Sequence, residues 1–416
     1  MLIDHGDNCG SGGNQDVMAV LAEVLEQGLE NVCAGPFSDA EAVAELIVAG
    51  VGAQVTVALG GKVDMPAMSL KGQPLMVSGT VRRITDGSFT VTGPMFTGVQ
   101  MNIGRTVVLD TGKVEIVAET YYHSLAFFYS RDEFERQVDA HRAKIREVFG
   151  VETNVFRNTE LSYNDELAKW ADDYGFKGIL AEGWDPILDW RSPNFVYRPE
   201  GTENISLLLK NYKLSDDLAF RFSNRSWQEW PLTADKYTSW VESSIRDQPL
   251  VNLFMDYETF GEHQWHDTGI FEFFEEFVSR WLHDENNTFY TVSEAIDAHE
   301  PAGSLSMPYT VTWADSERDL SAWLGNSMQH EAMKHLYALE ADVLRSNDGE
   351  LISDWRKLQT SDHAYYMCTK WFTDGDVHAY FSPYDSPYDA FLYYINAIRD
   401  VRWRLHEDHK AGGLSG

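Results

Sequence analysis

Apolar positions recur along this chain in two textures. Over the first 110 residues they alternate between helical and strand spacing. VMAVLAEVLEQGLENV (17–32) and EAVAELIVAG (41–50) predict amphipathic helices, whereas QVTVAL, LMVSGTVRRI, SFTVTG and RTVVLD read as strands. Gly60-Gly61 and Asp86-Gly87 supply turn signals between them. Beyond about residue 113 the pattern changes to short apolar runs that each end on a polar or acidic residue and precede a helix-like stretch. VEIVAE ends at Glu119, TNVFRNTE at Glu160, FKGILAE at Glu182, ISLLLKN at Asn211, LAFRFSN at Asn224 and LVNLFMD at Asp256. After Glu160, LSYNDELAKWADDYG has helical spacing and closes on Gly175 as a C-cap. After about residue 315 the reading is mostly helical, and PYDAFLYYINAIRDVRWRLHEDHK forms a last helix.

The fold class that follows is α/β: a small N-terminal α/β module, then a βα repeat, then a mainly helical C-terminal region. Near-continuous apolar strands imply a parallel sheet covered on both faces, and parallel β/α barrels place their chemistry at the C-terminal strand ends. The acids that close the runs are therefore the candidates for chemistry. Composition marks the same division, because all 13 tryptophans lie at or after Trp170 while 17 of the 31 glycines fall within the first 112 residues.

Charge narrows the partners. With 33 Lys and Arg against 65 Asp and Glu, a net of -32, nucleic acid and anionic membranes are excluded as main partners, and neutral or cationic ligands remain. No apolar run approaches a membrane span, and MLIDHGDNCGSGG has neither the basic nor the apolar region of a secretory signal, so the cytoplasm is the expected compartment. Cys9, Cys33 and Cys368 are too scattered for a disulfide framework or a zinc cluster. The acidic surplus fits either a salt-adapted surface or an ordinary solvated one.

The densest polar and aromatic segment is LFMDYETFGEHQW (253–265). An acid at a strand end, followed by further acids, His263 and Trp265, offers carboxylates for proton transfer and aromatic faces for pyranose rings. The same residues would equally make a satisfied hydrogen-bond network at a strand end. FRNTEL (156–161) supplies a second carboxylate, Glu160, on another strand. Retaining glycoside hydrolysis needs two carboxyls about 5–5.5 Å apart, which Glu160 and Asp256 could provide from two different strands. Glu182, in AEGWD, is a rival on the same sheet edge. Trp184, Trp190 and Trp265 are sugar-stacking candidates, with a core role an equal alternative for each. HEAMKH (330–335) imitates a zinc-protease helix, but its histidines are five apart and not four. The glycines after Cys9 lack the strand-to-helix context of a dinucleotide loop. No metal or organic cofactor is expected.

From about residue 111 to 405 the chain resembles the catalytic region of glycoside hydrolase family 57, in its α-amylase-like branch. The matching segments include GKVEIVAETYYHSLAF, TNVFRNTELSYNDELAKWADDYGFKGILAEGWDPIL, AFRFSNRSWQEWPL, LFMDYETFGEHQW, WADSERDLSAWLGN and LQTSDHAYYMCTKWF. The resemblance implies a retaining enzyme acting on α-glucans or maltooligosaccharides, built on an incomplete (β/α)7 barrel followed by a helical domain. By motif, Glu160 matches the nucleophile and Asp256 the general acid/base. Glu119 and His123 match a further family segment, and Asp362 matches a helical-domain residue lining the cleft. The first 110 residues resemble instead the C-terminal domain of the microcystinase C family, through DHGDNCGSGGNQDVMAVL, DAEAVAELIVAGVGAQVTVALGGK and TDGSFTVTGPMFTGVQMNIGRTVVLD. The expected domains are thus 1–112, 113–300 and 301–410, with residues 1–110 forming a compact unit that makes few contacts with the rest. The family's opening His-Gln-Pro strand is absent from the match, so an open sheet edge and weakened catalysis are expected. A non-catalytic glucan-binding remnant or chimeric fragment is the alternative.

Overall fold

The structure is a computed structural model that describes residues 2–4, 18, 21–22, 32–34, 37–64, 71–90, 100–111, 115–261, 263–284, 286–370 and 382–412. The helix expected over 17–32 lies mostly outside the described residues. By packing, the chain divides into two compact units. One comprises Met1–Ile116, Lys144–Thr153 and Asn211–Glu300, and the other Val117–Ala143, Asn154–Lys210 and Pro301–Gly416.

In the first unit β1 (Leu2–Asp4) pairs in parallel with β2 (Val32–Ala34). The helix Ala40–Ala49 starts at Asp39, whose carboxylate accepts from the Ala42 N–H at 3.0 Å and from the Gly60 N–H at 2.8 Å. One acid thereby caps the helix and fixes the turn after β3 (Gln54–Leu59). β4 (Leu75–Thr85) runs antiparallel between β3 and β7 (Thr106–Asp110). Alternation along these strands turns Val57 and Val81 inward against Ala42 and Leu46. β5 (Ser88–Thr90) and β6 (Gln100–Asn102) form a separate antiparallel pair. Here the strand pattern is observed as the sequence predicts it, and the remainder of SFTVTG lies outside the described residues.

Three of the later apolar runs differ from the strands expected, VEIVAE contributing, among its described residues, only the bridge residue Ala118. LAFRFSN is helical: Tyr212–Asp216 continues into a π-helical turn over Asp217–Arg221. Leu214, Leu218 and Phe222 recur every four residues and bury one face against Tyr237, Phe273 and Phe277 of the helices Ala234–Ser244 and Ile270–His283. A short apolar run has no intrinsic preference between strand and helix, and packing decided this one. LVNLFMD forms no regular element and joins no ladder. Its Asn252 carbonyl accepts from the Asn211 N–H at 2.8 Å, and the Phe254 N–H donates to the Ser215 hydroxyl at 3.2 Å.

Packing groups the N-terminal residues with Lys144–Thr153 and Asn211–Glu300. Glu115 accepts from the Ser293 N–H at 2.8 Å, tying the segment after β7 to the helix Val292–Ala298, and Gly150 backs onto the Arg82 carbonyl of β4.

The second unit is built on a parallel sheet in the order β11 (Ser206–Lys210), β9 (Gly178–Glu182), β8 (Val155–Phe156). A bridge from Ala118 to Phe156 continues it by one position. Every residue of β9 and β11 is buried, as the continuous apolar runs require of a sheet covered on both faces. Among the described residues the parallel ladder comprises these three strands and the bridge. β10 (Arg198–Pro199) and β12 (Ser304–Leu305) form a small parallel pair. The helix Asp165–Asp173 is capped by Asn164 and ends before Gly175, whose φ of 92° lies in the left-handed region. Leu305, Met307 and Val311, in the stretch that begins at Pro301, join the sheet core around Ile179 and Leu207. A second core, around Trp323, Leu336, Trp355 and Ile398, gathers the helices Ser327–Tyr337, Gly349–Lys357 and Pro387–Gly412.

Candidate active site

At the C-terminal end of β8 the chain turns sharply. Glu160 sits in a single 3-10 turn, Thr159–Leu161, with φ 58° and ψ 29°, and Leu161 follows at φ 51°. Left-handed backbone is uncommon for residues with a side chain, and two in succession mark a conformation held by its surroundings. The Asn158 amide donates to the Ser162 hydroxyl at 2.9 Å and to its carbonyl at 3.1 Å, closing the turn from within. The result aims the Glu160 carboxylate at two ring N–H groups. His123 Nε2 lies 3.1 Å from Oε1, and the Trp313 indole donates to Oε2 at 2.8 Å. The Ser361 hydroxyl donates to Oε1 at 3.4 Å.

His123 is itself at φ 50°, and its Nδ1 bonds the Glu119 carboxylate. Glu119 receives the Arg157 guanidinium at 3.5 Å, and its backbone N–H donates to His141 Nδ1 at 3.2 Å. The imidazole thus lies between two carboxylates. Burial disfavours its cationic form, but hydrogen bonds and charge from Glu119 and Glu160 outweigh this and push its pKa up to about 10. Burial would likewise raise both acids. The His123 bond outweighs it, with Trp313 and Arg157 adding to the effect at Glu160 and Arg157 at Glu119, so both carboxyls stay below their ordinary range. Asp362, on the helix Ser361–Tyr365, goes the other way: burial and the Glu160 charge hold its carboxyl above the usual value.

The sequence-derived candidates therefore separate into groups. Glu119, His123, Glu160 and Asp362 converge on one cluster. Glu182 is wholly buried, accepts from the Gly183 N–H at 2.8 Å, and faces Arg318 at 3.4 Å and Lys210 at 3.9 Å. It anchors an ion cluster beneath the surface and presents no exposed side chain to a ligand. Trp184 is half-buried against the sheet core, whereas Trp190 is 81% exposed. Asp256, His263 and Trp265 belong to the other unit. There Asp256 is half-buried, its carbonyl accepting from the Thr259 N–H, and Trp265 is 63% exposed. Trp190 and Trp265 are thus not core residues.

Sequence reasoning missed Trp313, Arg157, Lys210 and Ser361. Trp313 lies 153 residues from its carboxylate partner, and nothing local distinguishes it from the chain's other tryptophans. Among the described residues no three His, Cys, Asp or Glu side chains converge as a metal site, and no helix is long and apolar enough to cross a membrane.

The site is thus a carboxylate held between an imidazolium and an indole at a strand end of a parallel sheet in an α/β protein. The chain belongs to glycosyl hydrolase family 57, whose profile matches residues 89–308, and the MlrC C-terminus profile matches residues 2–136. It is 44% identical over 312 residues to a protein of Methanocaldococcus jannaschii named "Putative alpha-amylase", covering 72% of this chain and 66% of that one. This chain accordingly spans somewhat less than two thirds of that relative's length. Its fold is similar to that of the GH57-type branching enzyme of Pyrococcus horikoshii, with a TM-score of 0.53 and 14% identity over 71% of this chain and 69% of the other. Over 117 residues, 28% of this chain and 22% of the relative, it is 34% identical to microcystinase C of a Sphingomonas species.

Proposed function

We propose that this protein is a retaining glycoside hydrolase of the α-amylase type that acts on α-glucans or maltooligosaccharides, with Glu160 as nucleophile and Asp256 as general acid/base. Family membership and the alpha-amylase name carried by the Methanocaldococcus relative support the class and the substrate. The observation that carries the reading is the Glu160 carboxylate, kept ionised at neutral pH by His123 and Trp313 and fixed by a left-handed turn at a strand end.

In the reaction, a Glu160 oxygen attacks the anomeric carbon as Asp256 protonates the departing glycosidic oxygen. The glycosyl ester so formed is hydrolysed by water that Asp256, now a carboxylate, deprotonates. Glu119, His123 and Asp362 would hold sugar hydroxyls beside the nucleophile. His263 and the exposed faces of Trp190 and Trp265 would extend the binding surface, with Trp184 supporting it from the core side. Glu182, as a buried ion-pair residue, would act through Lys210 and not through substrate contact. No metal or organic cofactor takes part.

The test is release of reducing ends from maltoheptaose. Hydrolysis by the wild type, its loss in Glu160→Ala, and restoration of glycosyl transfer to added azide in that variant are expected. Binding of maltoheptaose without turnover, at equal affinity in wild type and Glu160→Gln, would instead make the protein a glucan-binding remnant.

A further inference from the structure

Trp313 is held by more contacts than the bond to Glu160 that the hydrolytic reading uses. Its indole N–H donates to Glu160 Oε2 at 2.8 Å, while its backbone N–H donates to the Glu160 carbonyl at 3.4 Å. Two cations lie against the ring: the Arg157 guanidinium carbon is 4.8 Å from the centroid and the Lys210 ammonium 5.3 Å. An indole drawn upon by cations through its π-system is electron-poorer, and its N–H is the stronger donor. Lys210 is 4% exposed and lies at the end of β11 beside the buried Glu182, which Arg318 also faces. The loop that carries Trp313 is latched as well. The Thr312 hydroxyl donates to the Asp319 carbonyl at 2.7 Å, Arg318 bonds the Trp313 carbonyl, and Lys370 pairs with Asp315 at 3.2 Å.

We infer that Trp313 is a positioning residue for Glu160: its indole N–H, held and polarised between Arg157 and Lys210, fixes the second carboxylate oxygen while His123 fixes the first. The inference rests on Glu160 being the reacting carboxylate. It gives the buried Glu182–Lys210 pair a task in the site, since these residues seat the cation that seats the ring. With both oxygens taken by ring N–H donors, the carboxylate plane is set before a substrate arrives, and such preorganisation is what nucleophilic attack on a fixed anomeric carbon requires. The charged groups facing Glu160 are His123, with Glu119 behind it, Arg157 from the end of β8 and Asp362 from the helix Ser361–Tyr365. None of them supplies a donor to Oε2.

Two measurements test this. Trp313→Phe keeps the ring between the cations and removes only the donor. Loss of one hydrogen bond to a charged group corresponds to about 10- to 100-fold in kcat with KM little changed, and the acid limb of the pH profile moves up by about one to two units. Trp313→His, which retains a ring N–H, should recover part of that shift. A role confined to packing would raise KM or lower the Tm and leave the acid limb in place, and that result overturns the inference. The second measurement needs neither turnover nor the Phe variant. In the 15N-labelled wild type, one of the indole N–H signals should titrate with the Glu160 midpoint and lose that titration in Glu160→Gln. If no indole signal responds to Glu160→Gln, the link does not exist. Failure of azide rescue with the indole titration intact would instead count against the nucleophile assignment and leave the positioning contact standing.

Discussion

Three non-glycine residues with left-handed backbone, His123, Glu160 and Leu161, meet at one cluster. Each costs on the order of 1–2 kcal/mol relative to ordinary backbone. The outlay is offset by the charged hydrogen bonds that only this geometry permits, from His123 to both Glu119 and Glu160 and from Trp313 to Glu160. The imidazole is consequently a fixed cation and not a proton shuttle near neutrality. Since its folded pKa of about 10 lies above the ordinary 6.5, the stability it contributes is fully present below pH 6.5 and is lost as pH rises through about 10. The paired acids act in the opposite sense, because their lowered values make their contribution complete above the usual carboxylate range and lost as pH falls through it. We expect the imidazole nitrogens of His123, followed by 15N chemical shift, to show no titration between pH 5.5 and about 8.5. A midpoint near 6.5 would show that the two carboxylates do not hold the proton.

At the level of elements, the ends of β9 and β11 are bound through backbone proximity that one glycine permits. A Cβ on Gly183 would lie 2.3 Å from the Lys210 carbonyl oxygen and 2.9 Å from the Pro193 side chain, so any larger residue must push β11 and the loop before β10 away from β9. Gly183→Ala is expected to destabilise the protein by about 1–3 kcal/mol, the range of overpacked interiors, read as a lower Tm. Activity at a temperature well below the new Tm should also fall, because Lys210 and the Trp313 ring move with that strand end. An unchanged Tm would mean that the strand end has slack. Sequence reading located these elements where burial is two-sided, since a run such as GILAE or SLLLK cannot be anything but interior, and the acids closing β9 and following β8 were visible for the same reason. It failed at LAFRFSN, where the spacing of Leu214, Leu218 and Phe222 carries the helix but is masked by apolar residues between them. Trp313 was invisible because its importance comes from a loop closed by side chains distant in sequence, and local pattern does not encode that.

For the molecule as a whole, the dominant quantity is its charge. The chain carries 65 acids against 33 basic residues, and many of the basic ones are already committed to named pairs, among them Lys62, Arg82, Arg131, Arg146, Arg280 and Arg356. The surplus of negative charge is left to repel itself across the surface, a cost to the compact state that is largest at low ionic strength. Screening shortens the reach of that repulsion from about 10 Å at 0.1 M salt to about 3 Å at 1 M. The surface pairs lose some of their small attraction over the same range, about 0–1 kcal/mol each, but the 65 acids outnumber the 33 basic residues that could pair with them. The net sign therefore favours the folded chain as salt is added. We expect the Tm to rise by several degrees between 0.05 M and 1 M sodium chloride at pH 7, and the rise to shrink as pH falls towards the carboxylate range and the repulsion is titrated away. A sucrose series at matched osmolality separates this from general exclusion of solute from the surface, since sucrose does not screen charge. A Tm that falls with added chloride would mean that the ion pairs outweigh the repulsion, and that the acidic surplus is already compensated by its arrangement on the surface.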